Sequence, residues 1–150
     1  MPSLKTRLHD DLVASMRARD ELRTSALRMA LAAVTNAEVA GAESRELSDD
    51  DVVAVLSKET KRRRESAAAF RDGGRKERSE REDAEAVILE EYLPEQLDDT
   101  ELDELATSAI AEVGATGPRD MGAVMRVLNP RVAGRAEGGR VAAAVRRQLG

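Results

Sequence analysis

From Leu4 to Leu149 the apolar residues recur at intervals of three and four positions, and nowhere do they alternate with polar ones over a useful length. A repeat of that period lays one apolar stripe along a helix, whereas a half-buried strand needs a period of two. The chain is therefore expected to be all-α. Phe70 and Tyr92 are the only aromatic residues among 150, so a core must be built from Leu, Val, Ile, Met and Ala. Sheets favour aromatic and β-branched side chains, while Ala, Leu, Arg and Glu lose little side-chain entropy in a helix.

Caps and breakers divide this pattern into seven helices. Ser3 caps a first helix with Leu4, Leu8, Leu12 and Met16 on one face, ending near Arg19. Asp20 caps a second, through about Val39, whose buried side is Leu22, Ala26, Leu27, Ala30, Leu31 and Val34; Gly41 closes it. Ser48 with Asp51 opens the longest, which carries Val52, Val55, Leu56, Ala67 and Phe70 on one side and stops at Gly73-Gly74. The fourth, about Arg75 to Leu93, is expected to bury Ala84, Val87, Ile88 and Leu89 before Pro94. Asp98 and Glu101 cap a fifth that buries Leu102, Leu105, Ala109, Ile110 and Val113 and ends at Gly114. Pro118 suits the first turn of a sixth, through Leu128 and stopping before Asn129-Pro130. The last, about Gly138 to Leu149, points Val141, Val145 and Leu149 inward. Four helices followed by three is the expected order, with a domain boundary in YLPEQL, Tyr92 to Leu97.

Charge is segregated more sharply than the net of -5 implies. Glu82 to Pro118 holds twelve acidic residues and no Lys or Arg, whereas Arg119 to Gly150 holds seven Arg against Asp120 and Glu137. In that tail Arg119, Arg126, Arg131, Arg135, Arg140, Arg146 and Arg147 are candidate phosphate ligands, because guanidinium groups bind phosphate bidentately. The helix starts near Arg119 and Gly138 are candidate phosphate seats, and Gly122, Gly134, Gly138 and Gly139 would let a backbone approach closely. The alternative is a solvated helix face with turn-forming glycines. A second basic cluster, Lys61, Arg62, Arg63 and Arg64, is flanked by Glu59 and Glu65, so it reads as an internally paired surface, or else as an auxiliary RNA contact or a partner groove.

Enzymatic chemistry finds few parts. There is no cysteine, and His9 is the only histidine, so no disulfide, zinc-thiolate site or catalytic residue is expected, nor any metal or cofactor. Neither a GxxxxGK[ST] loop nor a dinucleotide fingerprint occurs. The acidic middle reads as a solvated surface. The first residues are charged from Lys5 onward, and no apolar run is long enough to span a bilayer, so a cytoplasmic location without membrane association is expected. No sustained heptad seam appears, which favours a monomer.

Three stretches together resemble the GatB/YqeY family. They are Leu27-Arg28-Met29 within ALRMALAAVTNAEV, YLPEQL from Tyr92 to Leu97, and the tail with MGAVMRVL from Met121, GRAEG from Gly134 and the final Val-bearing helix. Glu137 stands where Asp is usual after GRA, and Ala142 where Ser is common, so no polar contact carries over to Ala142. The resemblance covers essentially the whole chain. It implies a free-standing YqeY-type protein, with a helical amino-terminal domain over residues 1–94 and a three-helix tail domain over 95–150. That tail is similar to the carboxy-terminal domain of the B subunit of tRNA-dependent amidotransferases. The implied function is a transfer RNA-binding accessory in aminoacyl-tRNA metabolism, with aminoacyl-tRNA synthetase or amidotransferase subunits as further partners. Its implied grip is Arg119, Gly122, Arg126, Arg131, Gly134, Arg135, Gly138, Arg140 and Arg146. Alternatives are an accessory to a carbon-nitrogen ligase with glutamine as amido-N-donor, and a protein-interaction module docking through the long third helix. The tail has no aromatic platform for stacking, so contact is expected with RNA backbone rather than bases.

Overall fold

The computed structural model describes residues 2–150, and every regular element among them is helical. Seven α-helices run in order: α1 (Leu4–Arg17), α2 (Glu21–Val39), α3 (Asp49–Asp72), α4 (Lys76–Glu90), α5 (Asp99–Val113), α6 (Met121–Val132) and α7 (Gly138–Leu149). A single 3-10 turn, Pro118–Asp120, precedes α6. Contacts divide the chain into two compact units, one ending at Leu93 and the other Pro94–Gly150.

Helix starts follow from short polar side chains. Ser3 Oγ accepts from the Thr6 N–H at 3.1 Å, Asp20 Oδ1 from the Arg23 N–H at 3.1 Å, Ser48 Oγ from the Asp51 N–H at 3.2 Å and Asp98 Oδ1 from the Glu101 N–H at 2.8 Å. Each bond satisfies a donor that the first helical turn leaves without a partner. At the other end of α5, Gly114 takes the left-handed conformation (φ 67°) that returns its N–H to the Ala111 carbonyl.

In the first unit, Leu4 and Leu8 of α1, Ala26, Leu27, Ala30 and Val34 of α2, Val52 and Leu56 of α3, and Ile88, Leu89 and Tyr92 form one buried cluster. Polar ties fix the register of its elements. The Leu4 N–H donates to Asp49 Oδ1 at 3.0 Å, joining the starts of α1 and α3. Lys5 Nζ reaches Glu38 Oε1 at 2.7 Å, while Glu38 Oε2 accepts from the Leu47 N–H at 3.2 Å, so one carboxylate holds α1 and the segment after α2 together. The Tyr92 hydroxyl donates to Asp11, and Arg7 lies over its ring at 4.9 Å from the centroid. In the second unit the core is Leu97, Leu102, Ala106, Ala109, Val124, Leu128, Val132, Val141, Ala144 and Val145.

The structure departs from the sequence pattern at four elements. In α5 the inward face is Leu102, Ala106 and Ala109, and Val113, expected to be buried, is exposed in the last turn before Gly114. α4 ends at Glu90 rather than Leu93, and Val87 is 51% exposed because the inward face is set by Ser79, Glu85, Ala86, Ile88 and Leu89. Met16, expected on the apolar stripe of α1, is also exposed; Ser15 takes the buried place, its hydroxyl donating to the Leu12 carbonyl at 2.8 Å and hydrogen-bonded to Thr24 Oγ1. Finally, α6 does not stop before Asn129-Pro130 but carries Pro130 within its last turn to Val132. Proline there removes one donor near the helix end, a small loss against burial of Val132 in the core.

Candidate nucleic-acid interface

The second unit places its basic and acidic halves against each other. Glu112, Asp99 and Asp103 all lie on α5, and each receives an arginine from α6 or α7. Arg131 Nη2 donates to Glu112 Oε1 at 2.9 Å, Arg140 Nη2 to Asp99 Oδ1 at 2.8 Å, and Arg147 Nη2 to Asp103 Oδ1 at 3.0 Å. The Arg131 guanidinium lowers the pKa of the Glu112 carboxyl, chiefly through that hydrogen bond. These pairs are solvent-accessible, so water screens them and each contributes little to stability.

Arg135 is held differently. Its Nε donates to the Glu95 carbonyl at 3.3 Å and its own carbonyl accepts from the Leu97 N–H at 2.8 Å. Gln96 Nε2 donates to the Gly134 carbonyl at 2.8 Å, and Arg140 Nη2 also donates to the Leu97 carbonyl at 3.1 Å. The PEQL and GRAEG stretches are therefore two sides of one stitched turn. Gly134 adopts φ 74° there, a left-handed conformation that suits glycine.

Arg119, Arg126 and Arg146 are the tail arginines that remain exposed with no carboxylate partner among the described residues. Gly122 and Gly138 have open space where a side chain would stand. The two expected phosphate seats, however, already hold carboxylates of this chain. Glu137 Oε1 accepts from the Gly139 N–H at 3.0 Å at the start of α7, and Asp120 Oδ2 accepts from the Thr116 N–H at 2.9 Å and the Gly117 N–H at 3.3 Å before α6. A carboxylate there answers the same unpaired donors that a phosphate would.

One feature of the tail gave no sequence signal. Pro118 of the 3-10 turn and Met121 at the start of α6, with Arg146, Arg147 and Leu149 at the end of α7 and the Gly150 that follows it, line a shallow depression of about 470 Å³, almost wholly apolar inside. It joins residues some 28 positions apart, so no local motif announces it.

The second basic cluster is internally paired. Lys61 faces Glu65 at 3.9 Å, Arg62 faces Glu59 at 3.3 Å, and Arg64 reaches Asp83 and Glu90 at 3.0 Å each. Arg63 points inward, 6% exposed, and binds Glu85 at 2.7 Å and Glu82 at 3.1 Å across α3 and α4. It is a structural cation and is not presented to solvent.

A sequence model of the family described as "Yqey-like protein" matches residues 5–149. The chain belongs to the YqeY-like family. The YqeY-like chain is also 30% identical over 96 residues to "Uncharacterized protein C22F3.15" of Schizosaccharomyces pombe, a match that covers 63% of this chain and 76% of the yeast protein. Among the described residues of this YqeY-like protein no group of three or more His, Cys, Asp or Glu side chains could hold a metal ion. No described helix is long and apolar enough to cross a membrane.

Proposed function

We propose that this protein is a non-catalytic accessory of aminoacyl-tRNA metabolism that holds transfer RNA by its sugar-phosphate backbone through the α5–α7 unit. The observation that carries this is the exposure of Arg119, Arg126 and Arg146 without carboxylate partners, in a unit where the neighbouring Arg131, Arg140 and Arg147 are paired. Three open guanidinium groups give phosphate an immediate foothold. The exposed pairs to α5 then act as a reserve, because phosphate can displace a carboxylate that contributes so little.

Fluorescence anisotropy with unmodified transfer RNA at low and physiological salt tests this. Each phosphate contact contributes roughly -0.7 to -0.9 to the slope of log affinity against log salt, so the triple variant Arg119→Gln/Arg126→Gln/Arg146→Gln is expected to flatten the slope by about 2 to 3. Absence of binding at both salt concentrations, or a slope indifferent to the triple substitution, rejects the tail grip. Co-purification with amidotransferase subunits in the absence of RNA affinity would assign the protein to a helper role through protein contacts.

A further inference from the structure

We propose that the depression between Pro118, Met121 and Leu149 seats one unstacked base of the bound RNA, with the adjoining phosphate on Arg146. This deepens the transfer RNA assignment above and rests on it. The hollow is almost wholly apolar, and its lining joins Pro118, Met121, Leu149 and Gly150 to Arg146, which has no carboxylate partner among the described residues, and Arg147, whose pair with Asp103 is exposed. A nucleotide offers one flat, weakly polar ring beside one phosphate. That is the combination a single apolar depression next to a single open guanidinium can take, and a guanidinium can also stack on a base.

Size and shape separate this occupant from an acidic peptide. A helical peptide needs a groove that accepts apolar anchors at i, i+3 or i+4 and i+7, roughly two turns of contact. Here the lining is two short chain segments around one hollow of about 470 Å³, within the range of small-ligand pockets. The absence of aromatic side chains in the tail removes a stacking sandwich but not an apolar floor. One base therefore adds to a grip otherwise made on the backbone.

Methyl NMR on methionine-labelled protein reads the site directly, because only five methionines are present and Met121 is assigned by Met121→Leu. The probes are an RNA hairpin with an unpaired loop, a blunt RNA duplex of equal charge, and a Glu-rich peptide containing one Leu. The expected result is that the Met121 methyl moves with the hairpin and not with the duplex. Leu149→Ala should weaken hairpin binding about fivefold with duplex binding unchanged, and near-native methyl positions elsewhere confirm that this variant folds. If both RNAs bind and Met121 stays still, or moves equally with both, the base seat is overturned and the backbone grip survives. If neither RNA binds, both fall. A Met121 response confined to the peptide overturns the base seat and makes the hollow a protein-docking site.

Discussion

Arg63 and Tyr92 show how much a single side chain decides in a protein with so few polar core residues. Arg63 is buried between Glu85 and Glu82, so removing the arginine leaves an uncompensated charge away from water. Arg63→Met, which strands the buried Glu85, is expected to cost about 3–5 kcal/mol in urea unfolding; Glu85→Leu is expected to cost less, because Arg63 keeps Glu82, and the double variant less than the sum of the two. The Tyr92 hydroxyl is pushed up to about 12 from 10.0, first by burial and then by its bond to Asp11. Since the folded pKa is the higher one, the stabilisation is fully present below about pH 10 and is lost as pH rises through about 12. Tyrosinate absorbance, which reports Tyr92 alone, is expected to rise near 12 while the protein stays folded, and near 10 in denaturant. Neither role is visible in sequence. Arg63 sits in a run of four bases that looks uniform, and only the phase of α3 against α4 selects which one turns inward.

Helix boundaries were legible where a cap or a glycine fixes them and less so where packing does. Ser3, Asp20, Ser48 and Asp98 are all helix starts because an oxygen two or three bonds from Cα can reach the N–H three residues on. Pro130 misled because a proline near a helix end removes only one bond, which the buried Val132 outweighs. Val87 misled because hydrophobicity alone does not set helix phase when Ser79 and Glu85 have buried partners, the Ala67 carbonyl and Arg63. α4 is the exception among the early helices, for Arg75 at its start provides no side-chain cap. Arg75→Ser or Arg75→Asp is therefore expected to stabilise the protein by about 0.5–1 kcal/mol. For a chain of this size thermal melting should register that as a rise of roughly 1–4 °C.

Across the whole molecule, the acidic middle and basic tail were evident from composition, but their opposition within one three-helix unit was not. The carboxylates of α5 screen Arg131, Arg140 and Arg147, so the tail is less electropositive than its arginine count suggests. Neutralising that helix with Asp99→Asn/Asp103→Asn/Glu112→Gln should free three guanidinium groups. Transfer RNA affinity at low salt is then expected to rise about tenfold or more, with a steeper salt slope, in the same anisotropy titration. No change in either quantity would mean that these arginines face away from the RNA.

The stitching of Gln96 and Leu97 to Gly134 and Arg135 also sets an order of events during synthesis. A ribosome delivers the amino end first, so α1 to α4 can close their cluster while the remainder is still being made. Leu97, by contrast, must wait for a partner nearly forty residues downstream, and for Val141 and Val145 beyond it, before its own layer exists. The α5–α7 unit thus matures later than α1–α4, and a nascent chain released between them would carry a closed first cluster beside an unfinished second one.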